Sequence, residues 1–251
     1  MKRMRRGFTL VEVSLFLAIT AAVFVGIAVG TQNSIFQQRY NDSVQNFAEF
    51  LRGVYSQVTN VQNDGDGRSD QAIYGKLVVF GESGDNNAIT TYNVIGSVEE
   101  KMPNCAEENE ILTRLGCLGA RITNNGNPVG FVENYKPRWA AQIQTTKSWD
   151  DGPAVGYELY LGALLIVRHP SSGTVYTFRS GVSSTEAMDN LVGNFSFDDV
   201  DFCVNPNGPD RSNLRKDIRI VAGARNASGV EIVSDGENMV DGINMGNRCE
   251  P

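Results

Sequence analysis

Residues 8–31 read FTLVEVSLFLAITAAVFVGIAVGT, and from residue 13 to residue 38 the chain carries no charge. About 20 consecutive apolar residues suffice to cross a bilayer as a helix, so this stretch predicts a membrane-spanning helix. Immediately upstream, Met1-Lys2-Arg3-Met4-Arg5-Arg6-Gly7 holds four basic residues and no acid. Basic flanks stay on the cytoplasmic side, which sends the C-terminal remainder outward. One residue breaks the apolar pattern: Glu12, one turn into the run. A carboxylate at the centre of a membrane helix costs on the order of 3 kcal/mol, and less near an end, so it calls for a partner.

Two ordinary readings each leave something unexplained. A secretory signal peptide, cut after the small residues Ala28-Val29-Gly30, needs an apolar core of only about 7–15 residues, and this one is longer. A plain signal anchor accounts for the basic flank and the span but gives Glu12 no purpose. A third reading takes the segment Arg5-Arg6-Gly7-Phe8-Thr9-Leu10-Val11-Glu12 as a unit. It resembles the cleavage and methylation motif of type IV prepilins and pseudopilins. The resemblance implies that a membrane aspartyl peptidase cuts after Gly7, that Phe8 becomes the N-methylated first residue, and that Glu12 is the family's acid at mature position five. Gly7, without a side chain, leaves the backbone open to a protease. The new amine of Phe8 and the carboxylate of Glu12 on a neighbouring subunit would turn two costly membrane charges into one pair. That pairing would also set the axial stagger between subunits.

Helical periodicity continues past the span. Tyr40, Val44, Phe47, Leu51, Val54, Val58 and Val61 recur in steps of four and three, the stripe of an amphipathic helix. Gln38, Arg39, Asp42, Gln45, Asn46, Glu49 and Arg52 fill its other faces. One helix over residues 8–62 is expected, uninterrupted by proline and roughly 80 Å long. The alternative is two helices broken at Gly30-Thr31-Gln32-Asn33-Ser34, where propensity is low. Many type IV pilins carry a proline near this depth, and here Gly26 and Gly30 are the local weak points.

After Val61 the composition changes, and Asn63-Asp64-Gly65-Asp66-Gly67-Arg68-Ser69-Asp70 stops the helix. Short β-type runs then alternate with glycine-rich turns, at residues 72–80, 88–95, 139–145, 157–169, 174–180, 195–204, 217–224 and 229–234. Two short helices are expected over 106–115 and 184–192. The fold class is α+β: a long N-terminal helix, membrane-spanning and then amphipathic, packed on an antiparallel β-rich head. The division is 1–7 leader, 8–31 transmembrane or filament-core half, 32–62 amphipathic half and 63–251 extracytoplasmic head.

Four cysteines allow three disulfide pairings in an exported head, against four buried free thiols. The resemblance implies a C-terminal loop stapled by Cys203–Cys249, leaving Cys105–Cys117 to close a local loop. Asp64, Asp66 and Asp70 resemble part of a calcium loop. Gln62 stands at the first ligand position, however, and Ile73 where a bidentate glutamate belongs, so a polar helix stop is favoured and no cofactor is expected. One histidine, His169, precedes Pro170 at a strand end and reads as structural or exposed. Neither a G-x-S-x-G elbow nor a phosphate-binding G-x-x-x-x-G-K-[ST] occurs, so no catalytic residues are assigned. Asp198, Asp199 and Asp201 read as a solvated strand face. The net charge of −7 argues against broad nucleic-acid binding.

The resemblance implies a structural subunit, a minor or specialised type IV pilin processed after Gly7 and polymerised through its helix. A type II secretion pseudopilin is the alternative within the family, and a non-polymerising membrane-anchored receptor the alternative outside it. Implied partners are copies of the chain or other pilins, the prepilin peptidase, the pilus or secretion assembly machinery and the cytoplasmic membrane. The implied location is the membrane for the precursor, then a surface filament or periplasmic pseudopilus.

Overall fold

The computed structural model describes residues 9–60, 71–81, 87–108, 110–124, 127–130, 132–139, 141–145, 162–182, 184–206, 216–221, 223–233, 239–240 and 243–244. The chain is α+β, with a long apolar N-terminal helix and antiparallel sheets. It divides into two compact units, Met1–Asp42 and Ser43–Pro251. Helix α1 spans Leu10–Thr59, so the helical assignment runs through Gly26 and Gly30 without a break. Lack of proline and intact i→i−4 bonding override the weak propensity of Gly30-Thr31-Gln32-Asn33-Ser34.

In the first unit the helix presents its apolar side chains outward: Phe16 is 69% exposed and Phe24 68%. The stretch is long and apolar enough to cross a membrane. Within the second unit the stripe Val44, Phe47, Leu51, Val54 and Val58 is buried.

A five-stranded antiparallel sheet forms the centre of the second unit, in the order β5 (Glu133–Tyr135), β2 (Ile89–Ser97), β1 (Gln71–Phe80), β7 (Ala163–Arg168), β8 (Val175–Ser180). Its central strands read as continuous apolar runs, Leu77-Val-Val-Phe80 and Ala163-Leu-Leu-Ile-Val167, rather than as alternation. Both faces must therefore be covered. Leu77, Val79, Leu165 and Val167 share one core with Leu115 and Leu118, around helix α2 (Ile111–Cys117), and with Leu191 of the short helix α3 (Leu191–Asn194).

Alternation places the intervening residues of those strands on the opposite face. There Thr177 meets the α1 segment through Tyr55. A second sheet runs β11 (Val230–Val233), β10 (Lys216–Ile220), β9 (Val200–Asn205), β6 (Gln142–Thr145). Phe202 of β9 packs edge-on against Phe47 and tilts against Phe80, each at 5.3 Å between ring centroids. Short hairpins β3–β4 (Thr123–Asn124, Asn127–Pro128) and β12–β13 (Met239–Val240, Ile243–Asn244) complete the described strands.

Several expected elements differ in detail. The helix expected over 106–115 is a 3-10 turn, Pro103–Glu107, followed by α2, because Glu108 is extended and breaks it. The strand expected from residue 195 begins at Val200: Phe195 turns into the core after α3, and Ser196 makes an isolated bridge to Arg179. Consequently only Asp201 of the three acids lies in β9. Strand β10 ends at Ile220, and beyond it the Ala224 N–H donates to the Val221 carbonyl at 2.9 Å, so Val221, Gly223 and Ala224 lie in a turn rather than in more strand. Residues 157–161 of the expected β7 lie outside the described set.

One buried polar chain crosses the layers. Thr177 Oγ1 donates to the carbonyl of Ala224 at 3.0 Å, so Tyr55 must donate its hydroxyl proton to Thr177 Oγ1 at 2.6 Å. Burial pushes the Tyr55 phenol above its ordinary range, with the Thr177 bond opposing. Thr177→Val keeps the shape but orphans both the tyrosine donor and the Ala224 acceptor, an expected loss of about 2–4 kcal/mol. Tyr55→Phe removes one bond and leaves the other, about 1 kcal/mol. Denaturant unfolding should rank them in that order, and the reverse ranking refutes the donor direction.

Candidate functional site at the start of the apolar helix

The helix begins with a reciprocal cap. Thr9 donates its backbone N–H to Glu12 Oε2 at 2.9 Å, and its hydroxyl approaches the same oxygen at 3.1 Å. In return the Glu12 N–H donates to Thr9 Oγ1 at 3.3 Å. This is a capping box, in which residues three apart satisfy donors that the first helical turn leaves open. The carboxylate also lies at the positive end of the helix dipole. Glu12 stands out in the sequence by its cost in an apolar run. Thr9 does not, although the spacing Thr-x-x-Glu ahead of an apolar run is itself the signature.

The remaining polar side chains of the span turn back on their own helix. Ser14 donates to the carbonyl of Val11, Thr20 to that of Phe16, and Thr31 to those of Ile27 and Ala28. Hydroxyls bonded to i−3 or i−4 carbonyls present little unsatisfied polarity to lipid. Glu12 is therefore the one formal charge of the apolar stretch, held at its end by Thr9. Gly7 and Phe8 lie outside the described residues.

The head candidates separate in space. Cys105 and Cys117 are bonded, with Cα atoms 5.6 Å apart. Cys203 is also disulfide-bonded, and Cys249 lies outside the described residues. Asp64, Asp66 and Asp70 lie outside them too, and among the described residues no group of three or more His, Cys, Asp or Glu is placed to hold a metal. Asp198 accepts from Ser196 Oγ at 2.7 Å and from Arg179 Nε at 3.0 Å. The serine hydroxyl first, then Arg179, hold its carboxyl below the usual range against some burial.

His169 directly follows β7 and meets Arg114 of α2, which is paired with Glu99. The residues that sequence reading left out here are Arg114 and Glu99. They lie 55 and 70 positions from His169, with no local signal joining them. Comparison with known protein families, curated proteins and solved structures finds no match to this chain.

Proposed function

We propose that the chain is a type IV pilin-like structural subunit, processed after Gly7 and assembled through its N-terminal helix. One observation carries the reading. The segment Arg5-Arg6-Gly7-Phe8-Thr9-Leu10-Val11-Glu12 leads directly into a helix that is long and apolar enough to cross a membrane. The only formal charge in that span sits in the first turn. In a plain anchor that carboxylate serves only as the helix cap with Thr9, whereas in a subunit with a new amine on Phe8 it also supplies a countercharge. On this reading the span holds the precursor in the cytoplasmic membrane with the head outside, and the partners are other copies or related subunits.

Replacing Gly7 tests the reading. Gly7→Leu puts a branched side chain at the bond a peptidase must reach, and the expected product is an uncleaved, membrane-bound precursor. Mass spectrometry of the wild-type chain from its native host should find a mature N-terminus at Phe8, carrying one added methyl group. A mature protein that still begins at Met1 removes the reading in favour of a non-polymerising membrane-anchored receptor. Sheared surface filaments containing the chain separate a pilin from a type II secretion pseudopilin.

A further inference from the structure

His169 is the chain's single histidine, and its surroundings dictate one protonation state. The turn between β7 and β8 folds around its Nδ1. The backbone N–H groups of Ser171 and Ser172 both donate to that nitrogen at 3.3 Å, and the Ser171 hydroxyl lies 3.2 Å from it. A nitrogen that accepts from two backbone N–H groups carries no proton, so the ring proton sits on Nε2. Nε2 in turn faces Arg114 Nη1 at 3.4 Å. Both are donors, so this is a close approach of two N–H groups and not a hydrogen bond.

Among the described residues, the charges around the ring leave no acid free to welcome a second positive charge. Arg114 comes from α2, inside the loop closed by Cys105–Cys117, and is 7% exposed. Glu99, from the 3-10 turn Glu99–Lys101, is already committed to that guanidinium. Arg168, the last residue of β7, reaches over Gly173 in the same turn, where an added Cβ would lie 2.9 Å from Arg168 Nη2. Tyr176 of β8 offers its ring at 6.4 Å between centroids. Tyr74 of β1 feels the same Glu99 and Arg114 charges.

We propose that His169 is an acid-sensitive latch. When neutral it closes the β7–β8 turn through Nδ1, beside Arg114 of the disulfide-closed segment, and protonation at Nδ1 opens that turn. The added proton makes Nδ1 a donor, so its two backbone bonds become donor-to-donor contacts. It also places a second cation beside Arg114. Burial first, and then Arg114, hold the imidazole below its ordinary range, with Glu99 opposing. The native state therefore binds fewer protons than the unfolded chain. The latch's contribution is full above about pH 6.5 and is lost as the pH falls through the depressed folded value. This device belongs to the head and does not rest on the proposed assembly function.

The test uses the full chain in detergent micelles with isotope-labelled histidine, which gives one set of imidazole signals. The expected result is the Nε2–H tautomer at about pH 7.5 and a titration midpoint below that of the denatured chain. Amide exchange at Ser171 and Ser172, corrected for its intrinsic pH dependence, should lose about tenfold protection on acidification through that midpoint. In His169→Asn the amide oxygen can stand in for Nδ1 as an acceptor that does not titrate, so protection should be equal at both pH values. A midpoint at or above the denatured value overturns the latch. So does unchanged wild-type protection, or an equal acid loss in His169→Asn.

Discussion

Gly75→Ala is expected to destabilise the head by about 3 kcal/mol or more, a larger single-methyl effect than at Gly96, the other described strand glycine. Gly75 sits in β1 where the register against β2 shifts between Ile73 and Gly75, leaving Tyr74 as the extra residue. The bulge turns Tyr74 so that its hydroxyl donates to the Ser97 carbonyl at 2.6 Å. On its other side Gly75 pairs with Val167 of β7. A Cβ built at Gly75 would lie 2.1 Å from the Ile166 carbonyl oxygen and 2.7 Å from the Val167 Cα. These are backbone atoms of a central strand, so neither can yield by a rotamer change. The two strands must part, at the place where the five-stranded sheet is covered on both faces. For a unit of this size the loss corresponds to a fall in melting temperature of about 6–12 °C. Gly53→Ala supplies the control: that glycine lies in α1 with nothing within 4 Å of an added Cβ. There the same methyl should stabilise by up to about 1 kcal/mol. Melting curves followed by near-ultraviolet circular dichroism compare the two, and equal shifts would exclude the close-approach account.

What the sequence discloses follows from where the physical cause lies. The stripe from Val44 to Val58 is visible because helical burial repeats every three or four residues, and α1 buries it as read. The apolar runs of β1 and β7 announce strands, since sheets covered on both faces need no polar alternation. The three-residue strand β5 announces nothing. Glu133-Asn134-Tyr135 pairs with the edge of β2, and Tyr135 stacks on Phe50 of α1 at 4.4 Å. That stabilisation is tertiary and leaves no periodicity behind. The alternation Phe195-Ser196-Phe197 misleads for the same reason: Phe195 belongs to the core beneath α3, while Phe197 lies over Gly223. At the candidate site, Glu12 is legible as a charge out of place, and Thr9 is legible only once residues three apart are read as a reciprocal pair. The setting of His169 is legible nowhere in the chain, because Arg114 and Glu99 reach it only through the fold.

The capping box changes what substitution of Glu12 can reveal. Glu12 has two candidate roles: accepting from Thr9 to start the helix, and supplying a countercharge to an amine on Phe8 of another subunit. Alanine removes both. Glutamine keeps an oxygen for the Thr9 N–H, so it preserves the cap while removing the charge. If capping alone matters, Glu12→Gln should incorporate into filaments or assembly complexes normally, and Glu12→Ala should lose helix order over its first turn. If the countercharge matters, both variants should fail to incorporate, with membrane insertion, cleavage after Gly7 and the folded head intact. Assembly is expected to fail in both, because a cationic amine in an apolar filament core has no other acid within the span: Glu12 is its only formal charge. Thr9→Val completes the comparison by removing the hydroxyl while leaving the backbone N–H and the carboxylate. It should weaken the helix start by about 1 kcal/mol and still permit assembly. The readout is subunit content of sheared filaments or purified assembly complexes. Normal incorporation of Glu12→Gln would sink the charge-pair account and leave Glu12 as a helix cap.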